Sequence, residues 1–552
     1  MERTIIVVDC TARGRGRRYS TLDVIGVGPR KVASFLRSLG YEVELYPIEA
    51  VFRNPSILKK FRAAAVSFMV SDLGCVERFV RLWERYSGGP LLLGGPGALK
   101  LDFLDRIRFS AAILGEAEIP LLALHRLDLL NELLDRPNAI DKTVLRTVPG
   151  LAFREGHRVY MTGIAPWAPR ELIDEPLPDI EGLKRYDFYW ACRVYVEVVR
   201  GCSNFRRPRF DSRGIECIDC GKCMSAVYRE RVACPLSIPP GCGYCSVPAI
   251  HGPPRSRSVE SVAKEIRFLC ELGCTRIVLS APDFLDYGRD ALVYPEPLTD
   301  PRDPPPNIDA IERLLSEIVK IPQVSEGRAT IMVENLKPCL VNEYVAEVLA
   351  RYLRGSPVYV GLESASDSLL ERVGRPCGWN DVVQAIKILR RYGFRVYVYL
   401  MHGIPSETPE DVEKTVKAID ILEDLGVERI VLYRFTPLPF TAFERFPRPP
   451  PAVEQKHTRK LYDRVKIFNE RAKERLVGSI LKVVIASRYP KKRGYLVAYP
   501  VPHGPTVIVR TSSSNVGRIA YVKVTRVVSD RLVEGEVLRF GPRIVRIREH
   551  AY

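Results

Sequence analysis

The sequence predicts an α/β chain of three modules: a doubly wound Rossmann-like sheet, an open (βα)6 version of the TIM barrel, and a small β-barrel. Three observations predict it. Apolar runs alternate with amphipathic stretches over residues 1–130, a second alternating series spans 191–445, and short strand signals without helices fill 478–552. At 552 residues the chain exceeds what one hydrophobic core serves. It has no apolar stretch of 18 residues, and Met1-Glu2-Arg3 leads straight into a strand-like run. Neither a membrane span nor a signal peptide is therefore expected, and the expected location is cytoplasmic.

In the first module the apolar runs lie at 4–8, 41–46, 63–68, 91–93 and 111–114, with amphipathic stretches at 31–39 and 76–86. Fully apolar runs suit strands buried on both faces by helices. In open parallel sheets ligands bind at the carboxyl ends of strands, where glycine lets a ligand approach the backbone. Gly94, Gly95, Gly115 and Glu116 occupy such ends and are candidate ligand contacts. Residues 131–190 read as a linker.

The second module has strand signals at 193–199, 275–280, 329–334, 357–363, 395–401 and 428–434. Helix-period segments at 258–271, 341–353, 381–392 and 409–425 separate the later ones, so chemistry is expected at the strand C-termini. The Pro- and Asp-rich segment 287–307 should be a long loop on that face. Residues 446–477 read as a helical linker opened by a Pro-rich turn, and the barrel follows.

The formal charge is +17, and the last 75 residues carry 14 Lys and Arg against 4 Asp and Glu, a net of +10. A basic terminal module favours a polyanionic partner, nucleic acid foremost.

Seven of the 14 cysteines fall between positions 202 and 245. Cys10, Cys75, Cys192, Cys270, Cys274, Cys339 and Cys377 are scattered, mostly among apolar neighbours, and read as small buried hydrophobes. The clustered seven are Cys202, at the end of a strand, Cys217, Cys220 and Cys223 at two-residue gaps, Cys234 before a proline, and Cys242 and Cys245 around Gly243-Tyr244. A CxxCxxC run with a distant Cys-Pro is similar to the ferredoxin pattern, which can hold a cubane on four thiolates. Paired CxxC units also allow a zinc site.

Cys202, Cys242 and Cys245 resemble the cysteine loop of the radical S-adenosylmethionine (SAM) superfamily, usually spaced CxxxCxxC after the first barrel strand. Tyr244 before the last cysteine fits that loop. Arg255-Ser256-Arg257-Ser258 looks like the segment after it in tRNA methylthiotransferases. Here forty positions separate Cys202 from Cys242, so 203–241 reads as an insertion carrying a second cluster on Cys217, Cys220, Cys223 and Cys234. Exchange of Cys234 with Cys202 stays open. Gly361-Leu362-Glu363-Ser364 resembles the family's GxES element, which implies that Glu363 and Ser364 bind SAM, Glu363 through the ribose or amino group. Gly403, Pro405 and Glu407-Thr408 resemble its GxPGET element, with Ser406 in place of glycine. Residues 435–441 resemble TPLPGT, with Phe440 in place of glycine. Asp283 falls where the family often carries a polar active-site residue.

Residues 28–124 resemble the cobalamin-binding domain found ahead of many radical SAM domains, on Gly40-Tyr41-Glu42-Val43, Val66-Ser67, Gly94-Gly95-Pro96 and Gly115-Glu116-Ala117-Glu118. The first histidine is His125 and no DxHxxG motif occurs, so any cobalamin would be held without a histidine ligand. A degenerate domain, or the cluster-binding domain of methylthiotransferases, are the other readings. Arg13, Arg15, Arg17 and Arg18 could steer RNA or form a solvated loop. Residues 478–538 resemble the TRAM domain, an RNA-binding, OB-like barrel, with Lys491, Lys492, Arg493, Tyr489, Tyr495 and Tyr499 as candidate contacts. Together the resemblances imply an enzyme with two 4Fe–4S clusters, SAM and, on the first reading of the N-terminal sheet, cobalamin. It would methylate or methylthiolate RNA, tRNA foremost, with a ferredoxin or flavodoxin as reductant. A metabolite or peptide substrate, or a non-catalytic iron–sulfur RNA-binding protein, are the rivals.

Overall fold

The structure, a computed structural model, describes residues 4–16 and 22–545. Among them no helix is long and apolar enough to cross a membrane. The chain forms two compact units, Met1–Tyr195 with Glu260–Leu272, and Val196–Val259 with Gly273–Tyr552.

The first unit is built on β1 (Thr4–Asp9), β2 (Glu42–Pro47), β3 (Ala63–Ser67), β4 (Leu91–Gly94) and β5 (Ala111–Ile113), all expected from their apolar runs. They pair in parallel in the order β2-β1-β3-β4-β5. That order is doubly wound, with its switch point between β1 and β3. Residues 131–190 correct the expectation of a linker. They add β6 (Leu151–Glu155) and β7 (Arg158–Met161) to the β5 edge as an antiparallel hairpin turning on Gly156 at φ +61°. Only the first three residues of β6 are buried, too short a run to read as a strand. Helix Val259–Leu272, expected with the second module, contributes most of its length to this unit. There Glu265 meets Arg30 at 2.9 Å with both side chains fully buried.

A further strand, β8 (Arg193–Glu197), leads into the second unit, where Val198 N–H donates to the Ser280 carbonyl at 2.9 Å. Then follow β9 (Arg276–Ser280), β10 (Thr330–Val333), β11 (Asn335–Leu336), β12 (Pro357–Glu363), β13 (Arg395–His402) and β14 (Arg429–Arg434). Parallel pairs form between β9 and β10, β11 and β12, β12 and β13, and β13 and β14. The third expected strand is broken at Glu334: β10 pairs with β9, and β11 with β12. Helix Lys456–Glu474 is more than a linker. It buries Leu461, Val465 and Phe468, and its Asn469 side chain both donates to and accepts from the backbone of Ile430.

The C-terminal strands β15 (Ile480–Arg488), β16 (Tyr495–Pro500), β17 (Thr506–Arg510), β18 (Arg518–Ser529) and β19 (Leu532–Arg543) close a barrel in the order β15-β16-β17-β19-β18. Closure leaves no unpaired edge. Two cysteines depart from the expectation of separate thiols. Cys339 and Cys377, 38 positions apart, form a disulfide with Cα atoms at 5.5 Å. Their spacing carries no pairing signal because the loop after β11 and the turn before helix Trp379–Arg391 meet only in the fold.

Candidate cluster and cofactor site

The cysteine loop starts where the chain leaves β8. Gly201 sits at φ +92°, and a Cβ there would overlap the Pro253 carbonyl, so glycine is required. Cys202 N–H then donates to Gly252 O at 3.0 Å. Asn204 spans the forty-residue gap: its backbone N–H meets Cys202 Sγ at 3.5 Å and its side-chain amide meets Cys242 Sγ at 3.4 Å. Cys245 N–H closes a turn onto Cys242 O at 2.8 Å, and Gly243 packs flat beneath the Phe443 ring.

The partly buried thiols of Cys202, Cys242 and Cys245 thus converge. Burial pushes the Cys245 thiol up to about 12, with Cys242 and Cys202 adding to the rise. Burial likewise pushes Cys202 up to about 11, opposed by the Lys337 ammonium. Two thiols that burial holds protonated, with that of Cys242 beside them, suit a positive centre among them, and an iron cluster supplies one. The donor set fits that group.

The insertion presents its four thiols differently. Cys217 and Cys234 pack against the apolar cluster of Ile238, Leu369, Val373, Ile404, Phe435 and Phe443, while Cys220 is exposed. Arg207 is buried and organises the loop. Its guanidinium donates to Cys223 Sγ at 3.3 Å and to the carbonyls of Arg231, Val232 and Ile238. Among the described residues no three Cys, His, Asp or Glu side chains lie close enough to share one metal ion; a cubane spreads its thiolates one to an iron.

From Cys242 the site continues to Glu363 through Arg375, a residue with no signal in the sequence. Arg375 Nη1 lies 4.0 Å from Cys242 Sγ and 3.9 Å from the Glu363 carboxylate, and Nη2 donates to Gly361 O. Glu363 ends β12 at a bulge, with φ +66°. A non-glycine residue on left-handed backbone is strained, and such strain concentrates at working sites. Burial raises the Glu363 carboxyl, offset by Arg375. Ser364 turns away: its hydroxyl is buried against Thr415 and accepts from Ser366 N–H.

Gly403 is also left-handed, at φ +70°, and packs under Pro449; Pro405 is partly buried beside it. The Gly403 N–H donates to Glu407 at 2.7 Å. Burial pushes the Glu407 carboxyl up to about 7, against the pull of that N–H. Since the folded value exceeds the ordinary 4.5, stability is fully present below about 4.5 and is lost as pH rises through about 7. Glu407→Gln keeps the acceptor and removes the charge. Urea titrations at pH 5 and pH 8 should show it gaining about 1–3 kcal/mol on the parent at the higher pH; parallel profiles would contradict this.

Both departures from the family's glycines fall on left-handed backbone, Ser406 at φ +69° and Phe440 at φ +60°. The left-handed region costs an L-residue roughly 1–2 kcal/mol, part of which glycine returns as chain entropy. Exposed Ser406 is the cleaner test. Ser406→Gly should raise stability by about 1 kcal/mol in thermal melts, and a loss would refute the strain.

Asp283 is not free for acid–base work. It is buried, accepts from Leu285 and Lys337 N–H groups, and pairs with Lys337 Nζ at 3.1 Å. Lys337 also bonds Ser203 Oγ at 2.6 Å and reaches Asp286, which in turn holds Arg289 at 2.5 Å. This buried network, next to Cys202, was not foreseen beyond Asp283.

In the first unit Gly94 has open space above it, and Gly95 at φ +84° is pressed onto the Phe68 carbonyl. Gly115 and Glu116 correct the expectation of an open ligand edge. Ala165 and Gly115 are in contact, and the buried Glu116 carboxylate caps Ala168 N–H at 2.8 Å. Residues 164–168 cover that strand end, so the open part is at Gly94 and Gly95. Arg13 is buried against Asp9 and Glu49 and cannot steer a polyanion; Arg17 and Arg18 lie outside the described residues.

On the barrel, Tyr499 is buried beneath Arg276, and Lys492 is held by Tyr495 and Glu534. Lys491 and Arg493 are exposed, and Tyr489 is partly so. A second set was missed by sequence reasoning. On the β18–β19 ribbon Arg539 lies over Tyr521 at 3.6 Å and Arg518 over Phe540 at 5.1 Å, with Lys523 and Arg526 exposed alongside. Cross-strand pairing makes these neighbours; period-two alternation in each strand was the signal available.

Residues 232–419 match the radical SAM superfamily. The match begins after Cys202, which the fold returns to Cys242 and Cys245. The chain is 38% identical over 543 residues to an uncharacterized protein of Methanopyrus kandleri, covering 98% of this chain and 97% of that one. It is 26% identical over 305 residues to the ribosomal protein uS12 methylthiotransferase of Petrotoga mobilis, covering 54% and 65%. Among solved structures it resembles TsrM, a radical SAM methyltransferase of Kitasatospora setae with cobalamin and a 4Fe–4S cluster bound. The TM-score is 0.56 at 16% identity, over 80% of this chain and 77% of that one, a likeness of fold.

Proposed function

Because the chain belongs to the radical SAM superfamily, and within it to the family of the Methanopyrus kandleri protein, we propose that it is an RNA-modifying enzyme of the cytoplasm, a methyl- or methylthiotransferase acting on tRNA. Members of the superfamily use a 4Fe–4S cluster and SAM, which together supply a one-electron cleavage yielding a 5′-deoxyadenosyl radical able to take hydrogen from an unactivated carbon. In this reading Cys202, Cys242 and Cys245 hold that cluster, leaving one iron for SAM. Asn204 donates to two of the thiolates and sets their register. Glu363 binds the SAM ribose or amino group, and Arg375 holds Glu363 in place. Cys217, Cys220, Cys223 and Cys234 hold a second cluster, with Arg207 balancing its charge. Gly94 and Gly95 would let a cobalamin approach the backbone at that strand end with no histidine from the chain beside it, and a ferredoxin or flavodoxin would supply electrons.

The observation that carries this reading is the convergence of the Cys202, Cys242 and Cys245 thiols, linked to Glu363 through Arg375. The test is anaerobic reconstitution with iron and sulfide, with and without cobalamin, counting iron and following 5′-deoxyadenosine with bulk tRNA present. About eight irons per chain and RNA-stimulated cleavage support it. Zinc in place of iron, or no cleavage under strong reductant, rejects it.

The barrel serves as the TRAM-type RNA contact, and the β18–β19 ribbon supports it best. Stacked Arg–aromatic pairs beside exposed cations suit single-stranded phosphates and bases. Arg539→Glu with Lys523→Glu should weaken tRNA binding at least tenfold at low salt. The slope of log affinity against log salt should also fall by about 1 for each phosphate no longer neutralised. Unchanged affinity and slope would remove the ribbon from the interface. The ribosomal-protein substrate in the name of the Petrotoga mobilis relative favours a second reading, a protein substrate, which predicts no salt-dependent tRNA binding at all.

A further inference from the structure

A column of aromatic rings runs along the inner strands of the second unit. At its base His503 Nε2 bonds the Tyr359 hydroxyl at 3.0 Å, and Arg395 donates to the His503 carbonyl, so the column is anchored. Tyr359 meets Tyr397 edge-on at 5.2 Å and stacks on Tyr399 at 5.1 Å with 20° between planes. Tyr399 in turn meets Tyr433 at 5.4 Å. Tyr359 and Tyr397 are buried, whereas Tyr433, the last ring, is 49% exposed.

The exposed end lies at the reaction centre. Tyr433 pairs with Met401, and Glu363 with Leu400, so the two stand one residue level apart on β14 and β12, the strands that flank β13. The Glu363 carboxylate, Glu334 and Arg429 all act electrostatically on the Tyr433 hydroxyl, and burial raises it although the ring is half open. Three further rings and a histidine of the same unit stand behind Tyr433.

We propose that Tyr433, backed by Tyr399, is the stacking platform for the target nucleobase, holding an unpaired base of the RNA beside Glu363. The inference rests on the RNA reading above and names the part of the RNA recognised: a planar ring taken out of its stack. A base stacked on a fixed aromatic face is held without hydrogen bonds to its edges, which leaves those edges to other contacts.

The test uses the anaerobically reconstituted full chain and a fluorescein-labelled ten-nucleotide single-stranded oligoribonucleotide, with the same strand as a duplex and with one abasic position. Tyr433→Ala should weaken binding of the intact single strand by roughly five- to a hundredfold and erase its advantage over the abasic and duplex forms. Tyr433→Phe should retain binding within about threefold, since the ring suffices. SAM affinity should not change in either variant. If Tyr433→Ala binds the single strand as well as the parent, the platform is wrong while the RNA reading stands. Loss of SAM affinity in Tyr433→Ala would assign the ring to the cofactor and overturn the proposal. Failure of the parent chain to bind any RNA overturns both readings together.

Discussion

Cys242→Ala is expected to remove about four of about eight irons from the anaerobically reconstituted chain and to reduce SAM cleavage at least a thousandfold. Each thiolate of a cubane takes one iron, and the open fourth iron depends on the other three being held. Cys242 is the central one of the three. It accepts from Asn204, faces Arg375, and turns onto Cys245. Alanine there removes the sulfur that Asn204 and Arg375 face, leaving Asn204 its bond to the Gly374 carbonyl and Arg375 its bond to the Gly361 carbonyl. Cys202→Ala and Cys245→Ala should behave alike. Cys217→Ala should instead lose the other set of irons and keep the electron count of the first. Iron analysis with electron paramagnetic resonance of the reduced protein separates the two. If Cys242→Ala retains full iron while Cys234→Ala does not, the division of thiols is wrong.

Asp286→Ala should cost the second unit about 3–5 kcal/mol. Asp286 is fully buried, and its carboxylate joins Ser203 Oγ and N–H, Arg289 at 2.5 Å and Lys337 at 3.3 Å. Its carboxyl is held below the usual range by Lys337 and Arg289 despite burial. Removing it strands the buried Arg289 cation, which keeps only Ser203 Oγ and the carbonyls of Pro304 and Asp300, while Lys337 is left with Asp283 alone as its ion-pair partner. Ser203 adjoins Cys202, so iron content should fall with stability. Denaturant unfolding of the metal-free chain measures the first and iron analysis the second. A loss under about 1 kcal/mol would show the network to be ornamental.

The parallel strands of both units were legible because buried parallel strands are apolar runs, and 4–8, 63–68, 357–363 and 395–401 stand out as such. The seven clustered cysteines were legible for a different reason: no packing argument needs so many thiols in 44 positions. The hairpin β6–β7 was not, since it adds only three buried residues to an edge. The burial of Glu116 and Arg13 was also hidden. Nothing local says that residues 164–168 or Asp9 and Glu49 will lie against them.

Residue types and their spacing alone determined the chemistry available: thiols, a carboxylate after a strand, and a basic terminal barrel. Which thiols keep company was decided only in three dimensions, where Asn204 bridges a forty-residue gap and Arg375 joins Cys242 to Glu363. The reason is physical. Periodicity and motif spacing record a chain's local preferences, whereas desolvation and charge pairing depend on neighbours that only the folded backbone supplies.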